Sequence, residues 1–530
     1  MSKAKEILSE NAWPRWASLP VLTGSCLIGL LVLTLSALMQ SLTSTFLSRV
    51  VDFYLAHFPH WIIWSVSFFL IYSAALALLP SIGCRKLGTE NDYSKYSFFS
   101  WFSMIFGVGM GVGLLTWGVA EPIAGMQNNP DVIRGLTTAW TAENTSSALK
   151  WSYAHWGFAG WASYALVGLA VAYTGHRQRL PLTIRTALSP LFGNAMKGVL
   201  GHLVDVLTVV VTLFSIIQVL GYALNELVIA VAQTTNAVWL LDSQGNASNS
   251  AKIATSALMI FLSAFSAISG IGRGVKWFSN VNMLVSFIFL AIIFLAGSLK
   301  DGLLTLFSSV FDYLINLPSM MFQVWMKDGT AVGDNLQAWQ GEWSMYHWAC
   351  WWLAFAPFIG IFLAKISRGR TIRQYVFATV ILPTLLTMIW MSWAGGNAIE
   401  LELSGVANGE LISADIGIKI FTLVQLMFES LGAWIVSMTL LFLLITYLVT
   451  TIDSAIMVST SVLRKEHDGT STSGSILAWS VILTVAMTVL ILVDGFSSIR
   501  SAVAAASAPI SILIAALCLS LTIAIYKDTD

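Results

Sequence analysis

"FGVGMGVGLLTWGVAEP", Phe106 to Pro122, lies inside an apolar run that otherwise has the length and composition of a membrane helix. Four glycines, Gly107, Gly109, Gly111 and Gly113, fall at every second position, and a Glu-Pro pair follows. Each glycine costs about 1 kcal/mol relative to alanine in a helix interior, and irregular backbone in a bilayer persists only where protein buries it or it lines a cavity. A break here frees N–H and C=O groups to meet a ligand or ion, with the dipoles of two half-helices beside it. The same glycines also read as overlapping GxxxG pairs, Gly107/Gly111 and Gly109/Gly113, that let another helix approach. On this stretch alone both readings stay open. A dinucleotide loop is excluded, because no strand precedes it and the G-x-G-x-x-G spacing is absent.

Working outward, 57% of the 530 residues are hydrophobic and 10% charged, a surface that a water-soluble fold could not solvate. The class is a polytopic helical membrane protein in a lipid bilayer. Basic and acidic residues balance at 27 each, which gives no argument for a nucleic acid partner. Cys26, Cys84, Cys350 and Cys518 stand singly in apolar segments and read as small core hydrophobes, without metal-site spacing. The run 21–42 is too long for a signal h-region and reads as a retained first span.

Windows of about 20 apolar residues predict twelve spans. They lie near 21–42, 61–79, 98–120, 148–173, 202–232, 253–268, 278–298, 343–364, 372–393, 433–463, 475–493 and 502–525. With the N-terminus in the cytoplasm, 19 of the 27 Lys/Arg fall on the inner side, so both termini are expected there. Segment 301–327 mixes Leu and Phe with Asp312, Asn316 and Pro318, and predicts an amphipathic helix lying on the outer face as a connector or a trimer contact.

Polar and aromatic residues mark three more segments. "YLVTTIDSA", Tyr447 to Ala455, sets Thr450, Thr451 and Asp453 deep in an apolar helix, where polar groups need partners. The threonine oxygens, with carbonyls released by the glycine break, suit a bare sodium ion; back-bonding to their own helix is the alternative. "HWGFAGWASY" (His155 to Tyr164) and "WACWWLAFAPF" (Trp348 to Phe358) carry rings within their spans. Trp161 and Tyr164 share a helix face bordered by Trp156, and Trp351 and Phe355 stack at i, i+4 beside Trp352. Such a box of ring faces binds a quaternary ammonium at about 0.5 to 2 kcal/mol per face. Trp140, Trp339 and Trp343, near span ends, read instead as interfacial belt residues. His155 and His347 are expected to be hydrogen-bonded packing residues, and Glu121-Pro122 a cap of the break.

"GMGVGLLTWGVAEP", "WACWWLAFAPFIGIFLAKISRGRT" and "VTTIDSA" together closely resemble the betaine/choline/carnitine transporter family, in its order and spacing, through nearly all twelve spans. The resemblance implies an all-α LeuT-type fold with two inverted five-helix repeats. It divides the chain into 1–97 with two extra N-terminal spans, 98–300 as the first repeat, 301–341 as the outer helix and loop, and 342–530 as the second repeat and short tail. It further implies a homotrimer in the bacterial cytoplasmic membrane. Matched by position, Trp156, Trp161 and Tyr164 form one wall of the substrate site and Trp351, Trp352 and Phe355 the other, against Gly109, Gly111 and Gly113. Phe355 and Thr116 depart from the family, where relatives carry other aromatics.

The family's sodium site maps onto the backbone of Gly107, Met110 and Tyr447 and the side chains of Thr450 and Thr451; a possible second ion site lies near Phe358. Gln218 and Val219 stand there where hydroxyl residues would be welcome. In choline carriers the last glycine of the stretch is an aspartate, and here it is Gly113. A cation leaving water needs a counter-carboxylate, whereas a zwitterion brings its own. The expected substrate is therefore a net-neutral betaine such as glycine betaine or dimethylsulfoniopropionate, imported with sodium and with no organic cofactor. The alternative is a choline or carnitine carrier driven by protons or by exchange. Short termini predict a constitutive importer without strong osmotic activation. A channel lacks its filter repeat, and an enzyme lacks H-E-x-x-H or G-x-S-x-G.

Overall fold

The computed structural model describes residues 18–464 and 473–528. The expectations for the N-terminal segment, the basic residues between spans ten and eleven and the last two residues lie partly or wholly outside them.

Long apolar runs without water to satisfy their backbone can only wind into helices, and the regular elements of the described residues are all helices, apart from two isolated β-bridges. In chain order the long helices are α1 (Ser18–Leu38), α2 (Gln40–His57), α3 (Pro59–Leu78), α4 (Phe98–Gly109), α5 (Gly111–Gln127), α6 (Asn144–Trp156), α7 (Phe158–Gln178) and α8 (Val199–Thr235). There follow α9 (Asn249–Ser269), α10 (Lys276–Ala296), α11 (Leu299–Phe322), α12 (Ala331–Ile366), α13 (Ile372–Leu403), α14 (Ser430–Leu463), α15 (Ser473–Leu492) and α16 (Phe496–Lys527). Among the described residues twelve helices are long and apolar enough to cross a membrane, and counting the bent pair α4/α5 brings the number to 13. The chain is a multi-pass membrane protein.

The extra candidate is α11, the segment expected on the outer face. It is long enough to cross, yet little of it is buried and it packs beside α3 and α6. It is held from below by polar contacts. Lys150 of α6 sits between Asp131 and Asp312 at 2.7 and 3.1 Å, and the Tyr153 hydroxyl meets Ser309 at 2.9 Å. α2 was not foreseen as a helix distinct from the first span; a break at Met39 separates it from α1.

Burial is uneven in a way that locates the centre. α7 is buried almost all round, packed on α12 and beside α3 and α16, whereas α1 exposes most of its apolar side chains. A helix apolar on every side and covered by protein is a bundle core; one left uncovered faces lipid. α12 and α13 each contain two π-wound stretches, Gln340–Met345 and Trp348–Leu353 in the first, Phe377–Ile381 and Met391–Gly395 in the second.

Two local expectations are corrected. Cys84 is exposed at the end of the turn Pro80–Gly83 and is no core residue, because the chain leaves the bundle there. Trp339 is buried against Trp151 and Trp325 and donates its indole N–H to the Asn128 carbonyl at 3.2 Å, which removes it from any interfacial belt.

At the end of the bundle bearing loop 367–371, basic residues tie elements together. Arg368 pairs with Asp92 at 2.8 Å, and Arg370 lies 4.4 Å from the Trp101 ring centroid and donates to the Tyr96 carbonyl. Burial would raise the Asp92 pKa, but Arg368 and the Thr89 N–H hold its carboxyl below the usual carboxylate range.

Candidate functional site

The glycine stretch breaks. α4 and α5 meet at Met110 (φ −140°, ψ −19°) with a 61° bend. The glycines also admit close neighbours, so both readings of the sequence hold at once. A Cβ on Gly109 would lie 2.6 Å from the Trp161 ring, one on Gly111 2.0 Å from the Tyr447 ring, and one on Gly113 2.8 Å from Trp351 and 3.1 Å from Trp156. Gly107 has room, its nearest neighbour being the Ser279 hydroxyl at 3.6 Å.

These contacts bring the broken span, α6/α7, α12 and α14 to one place. Gly157 separates α6 from α7, so Trp156 ends one helix while Trp161 and Tyr164 open the next. The π-wound stretch Trp348–Leu353 turns Trp351 and Trp352 toward them. Trp156 meets Trp351 edge-on at 5.5 Å, Trp352 lies 4.8 Å from Tyr164 and 5.6 Å from Trp161, and Phe355 stacks on Trp351 at 5.4 Å. Gly160 is what admits Trp352, whose ring would be 2.2 Å from a Cβ there.

Five of the six rings are buried, and the cluster closes on itself. A cavity of about 320 Å³ lies beside the cluster and touches it through Trp351. Thr116, Gln218, Glu226, Tyr346, His347 and Arg500 also line this cavity. It lies toward the bundle end that carries Ile416 and Glu342, away from loop 367–371.

Glu121 organises one wall. Its carboxylate accepts the Trp156 indole N–H at 2.5 Å and meets His155 Nδ1, while His155 Nε2 reaches the Ser344 hydroxyl at 2.8 Å. Glu121 therefore positions a ring of the cluster, but it does not cap the break as expected: Glu121 and Pro122 lie in the interior of α5, whose N-cap is Met110. The expectation of a hydrogen-bonded His347 fails: its Nε2 has no partner among the described residues, and its ring packs edge-on against Trp156 at 4.3 Å. Asp453 is bound by the Ser266 and Ser454 hydroxyls at 2.5 and 3.0 Å and takes no part in this cluster.

At the expected sodium site, Thr450 and Thr451 both donate to the Tyr447 carbonyl at 2.9 Å. That carbonyl carries two hydroxyl donors, so it is poorly free to ligate a cation in this arrangement. The threonine oxygens keep their lone pairs, and α14 lies against both halves of the broken span. The residues present fit a monovalent cation through those oxygens. Phe358 is fully buried, 5.7 Å from Phe355, and Gln218 reaches the Cys350 carbonyl at 3.4 Å.

Sequence reasoning passed over Glu226 and Arg500. Thr116, the departure from the family pattern, donates to Glu226 at 3.0 Å, and Gly417 packs over the same carboxylate so closely that a Cβ would reach 1.9 Å. A lone acid in an apolar span was the available signal.

Comparison with known proteins agrees with this architecture. Residues 20–530 match the BCCT, or betaine/carnitine/choline, family of transporters. An osmo-independent choline transporter of Acinetobacter baylyi is 30% identical over 455 residues, covering 85% of this chain and 82% of that protein. A glycine betaine/proline/choline/ectoine transporter of Vibrio parahaemolyticus is 31% identical over 478 residues, 88% of this chain and 79% of its own. An ectoine/hydroxyectoine transporter of Virgibacillus pantothenticus is 28% identical over 507 residues, 95% of each. A family match over nearly the whole chain, with broken span and ring cluster in the same molecule, leads to one conclusion: the chain belongs to the betaine/carnitine/choline transporter family and is a transporter, not an enzyme.

Proposed function

We propose that this chain is a secondary active importer of a net-neutral methylated ammonium or sulfonium zwitterion, such as glycine betaine or dimethylsulfoniopropionate, working by alternating access with sodium. The observation that carries the reading is the contact of Gly109 and Gly113 with Trp161, Trp156 and Trp351. A methylated onium group entering between those faces gains cation–π attraction from several rings beside the bend between α4 and α5. Gly113 supplies no counter-charge, which favours a solute that is already neutral.

The cluster is closed here, and admission of substrate requires the rings to part. Trp351 is the hinge of that step, since it faces both the cavity and the cluster. Sodium enters the reading through Thr450 and Thr451, with Gly107 and Met110 contributing backbone once Tyr447 is relieved of one hydroxyl. Movement of one elementary charge across 100 mV is worth about 2.3 kcal/mol, enough to concentrate a neutral solute some fiftyfold per ion. The inverted-repeat fold, the trimer and the bacterial cytoplasmic membrane with both termini inside belong to the same reading.

The test is uptake of labelled glycine betaine into proteoliposomes with and without an inward sodium gradient. Accumulation that needs sodium, and whose half-saturating sodium concentration rises about tenfold in Thr450→Ala or Thr451→Ala, supports it. Undiminished accumulation without sodium overturns the coupling, and absence of onium uptake under every gradient overturns the substrate class.

A further inference from the structure

We propose that the cavity beside the ring cluster is a separate receiving site that reads a solute's two charges, with Glu226 holding the onium end and Arg500 the carboxylate end. The inference rests on the methylated-zwitterion reading above and extends it to residues outside the ring cluster.

The charges in this cavity are unmatched by protein. Two buried cations elsewhere are paired with acids, Lys150 with Asp131 and Asp312 and Arg185 with Asp205, and the buried Lys419 is held by the Leu411 and Ile412 carbonyls. Glu226 is nearly buried on α8, and its hydrogen-bond donor is the Thr116 hydroxyl. Arg500, near the start of α16, rests its guanidinium 4.4 Å from the Tyr346 ring centroid. Neither enters an ion pair, although both line the same cavity. A buried carboxylate without an ionic partner is costly, and a cavity lined by such an acid and by the exposed guanidinium of Arg500, itself in no ion pair, suits an occupant that brings the complementary pair of charges.

The remaining ionisable groups do not cancel this arrangement. Glu121 is occupied by His155 and Trp156, and Glu342 is exposed, so solvent screens it. Tyr222, Tyr346, Cys350 and His347 complete the ionisable lining. A volume of about 320 Å³ takes a small methylated solute with a few waters. Trp351 then offers the onium group its first ring on the way to the cluster, and Gln218, whose Oε1 has no partner among the described residues, adds a polar contact. Thr116 acquires a role here as well: a hydroxyl holds Glu226 toward the cavity where an aromatic could not.

The experiment compares KM for glycine betaine and for choline, which lacks the carboxylate, in proteoliposomes of purified wild type, Arg500→Met, Arg500→Lys and Glu226→Gln. A charge-assisted hydrogen bond of ordinary strength is worth about tenfold or more. Arg500→Met is expected to raise the KM for glycine betaine about tenfold while moving that for choline less than twofold, and Arg500→Lys to recover most of the loss. Glu226→Gln is expected to raise both, each about tenfold. An equal factor on both solutes in Arg500→Met, or no change in either variant, overturns the proposal. A wild type that moves neither solute refutes the transport reading itself, which the variants do not test.

Discussion

The four glycines of the broken span are not equivalent, and the difference is a matter of single contacts. Gly111 is pressed against the Tyr447 ring at a distance no Cβ tolerates, whereas Gly107 has ordinary van der Waals room. Overpacking of a buried site costs about 1–3 kcal/mol, so Gly111→Ala should lower the unfolding temperature of the detergent-solubilised protein and Gly107→Ala should leave it nearly unchanged. Thermal unfolding of the two variants side by side checks this; equal stabilities would mean that the helices slide apart freely. Glu121 permits a finer prediction. Glu121→Gln keeps an oxygen for the Trp156 indole and can donate its amide to His155 Nδ1 in the other tautomer, so glycine betaine uptake should persist. Glu121→Leu orphans two buried donors or acceptors and should raise KM about tenfold. Loss of uptake in Glu121→Gln would instead assign the carboxylate to proton movement.

The elements repeat the lesson at larger size, since helices here are shaped by what they must bring together. α11 is the clearest case: its apolar side chains are largely uncovered, yet Lys150 reaches up from α6 to grip Asp312 together with Asp131. Removal of one partner from a largely buried ionic cluster leaves like charges facing each other, so Lys150→Met should destabilise the protein by up to about 3 kcal/mol, somewhat less because Asp312 is partly solvated. Thermal unfolding should show the loss, and Lys150→Met combined with Asp131→Asn and Asp312→Asn should recover it if the cluster acts through charge. The helices were legible in the sequence because a bilayer demands long apolar runs, and the break at Met110 was legible because glycine spacing is local information. The π-wound stretches of α12 were not, because "WACWWL" is as compatible with an ordinary helix; in the fold it packs against both α16 and α7. Glu226 and Arg500 lie 274 positions apart in the chain, and nothing short of the fold indicates that they face one cavity. For the same reason the rings could be grouped within each helix from their spacing and across helices only through the family resemblance, and that they close on each other was not legible.

At the scale of the molecule the two ends of the bundle differ in kind. One gathers Arg85, Arg177, Arg368, Arg370 and Arg373 around Asp92 and Asp528; the other opens the cavity between Glu342 and Ile416. Basic clusters remain on the cytoplasmic side of bacterial membranes, so the cavity end should face outward and the arginine end inward. On the import reading proposed above, a cycle would begin with solute entering the cavity and end with release past the arginines. The chain carries its own reporter of that orientation. Cys84 is the exposed cysteine among the described residues and lies at the arginine end; Cys350 and Cys518 are buried and Cys26 sits within α1. A membrane-impermeant maleimide should therefore leave the protein unlabelled in intact cells and label it at Cys84 in inside-out vesicles, with Cys84→Ser abolishing the signal. Introduction of a cysteine at Asn408, in the turn on the opposite end, should reverse the pattern in the Cys84→Ser background, with labelling in intact cells. Labelling of Cys84 from outside would invert the whole molecule, and the cavity would then be the exit of an import pathway.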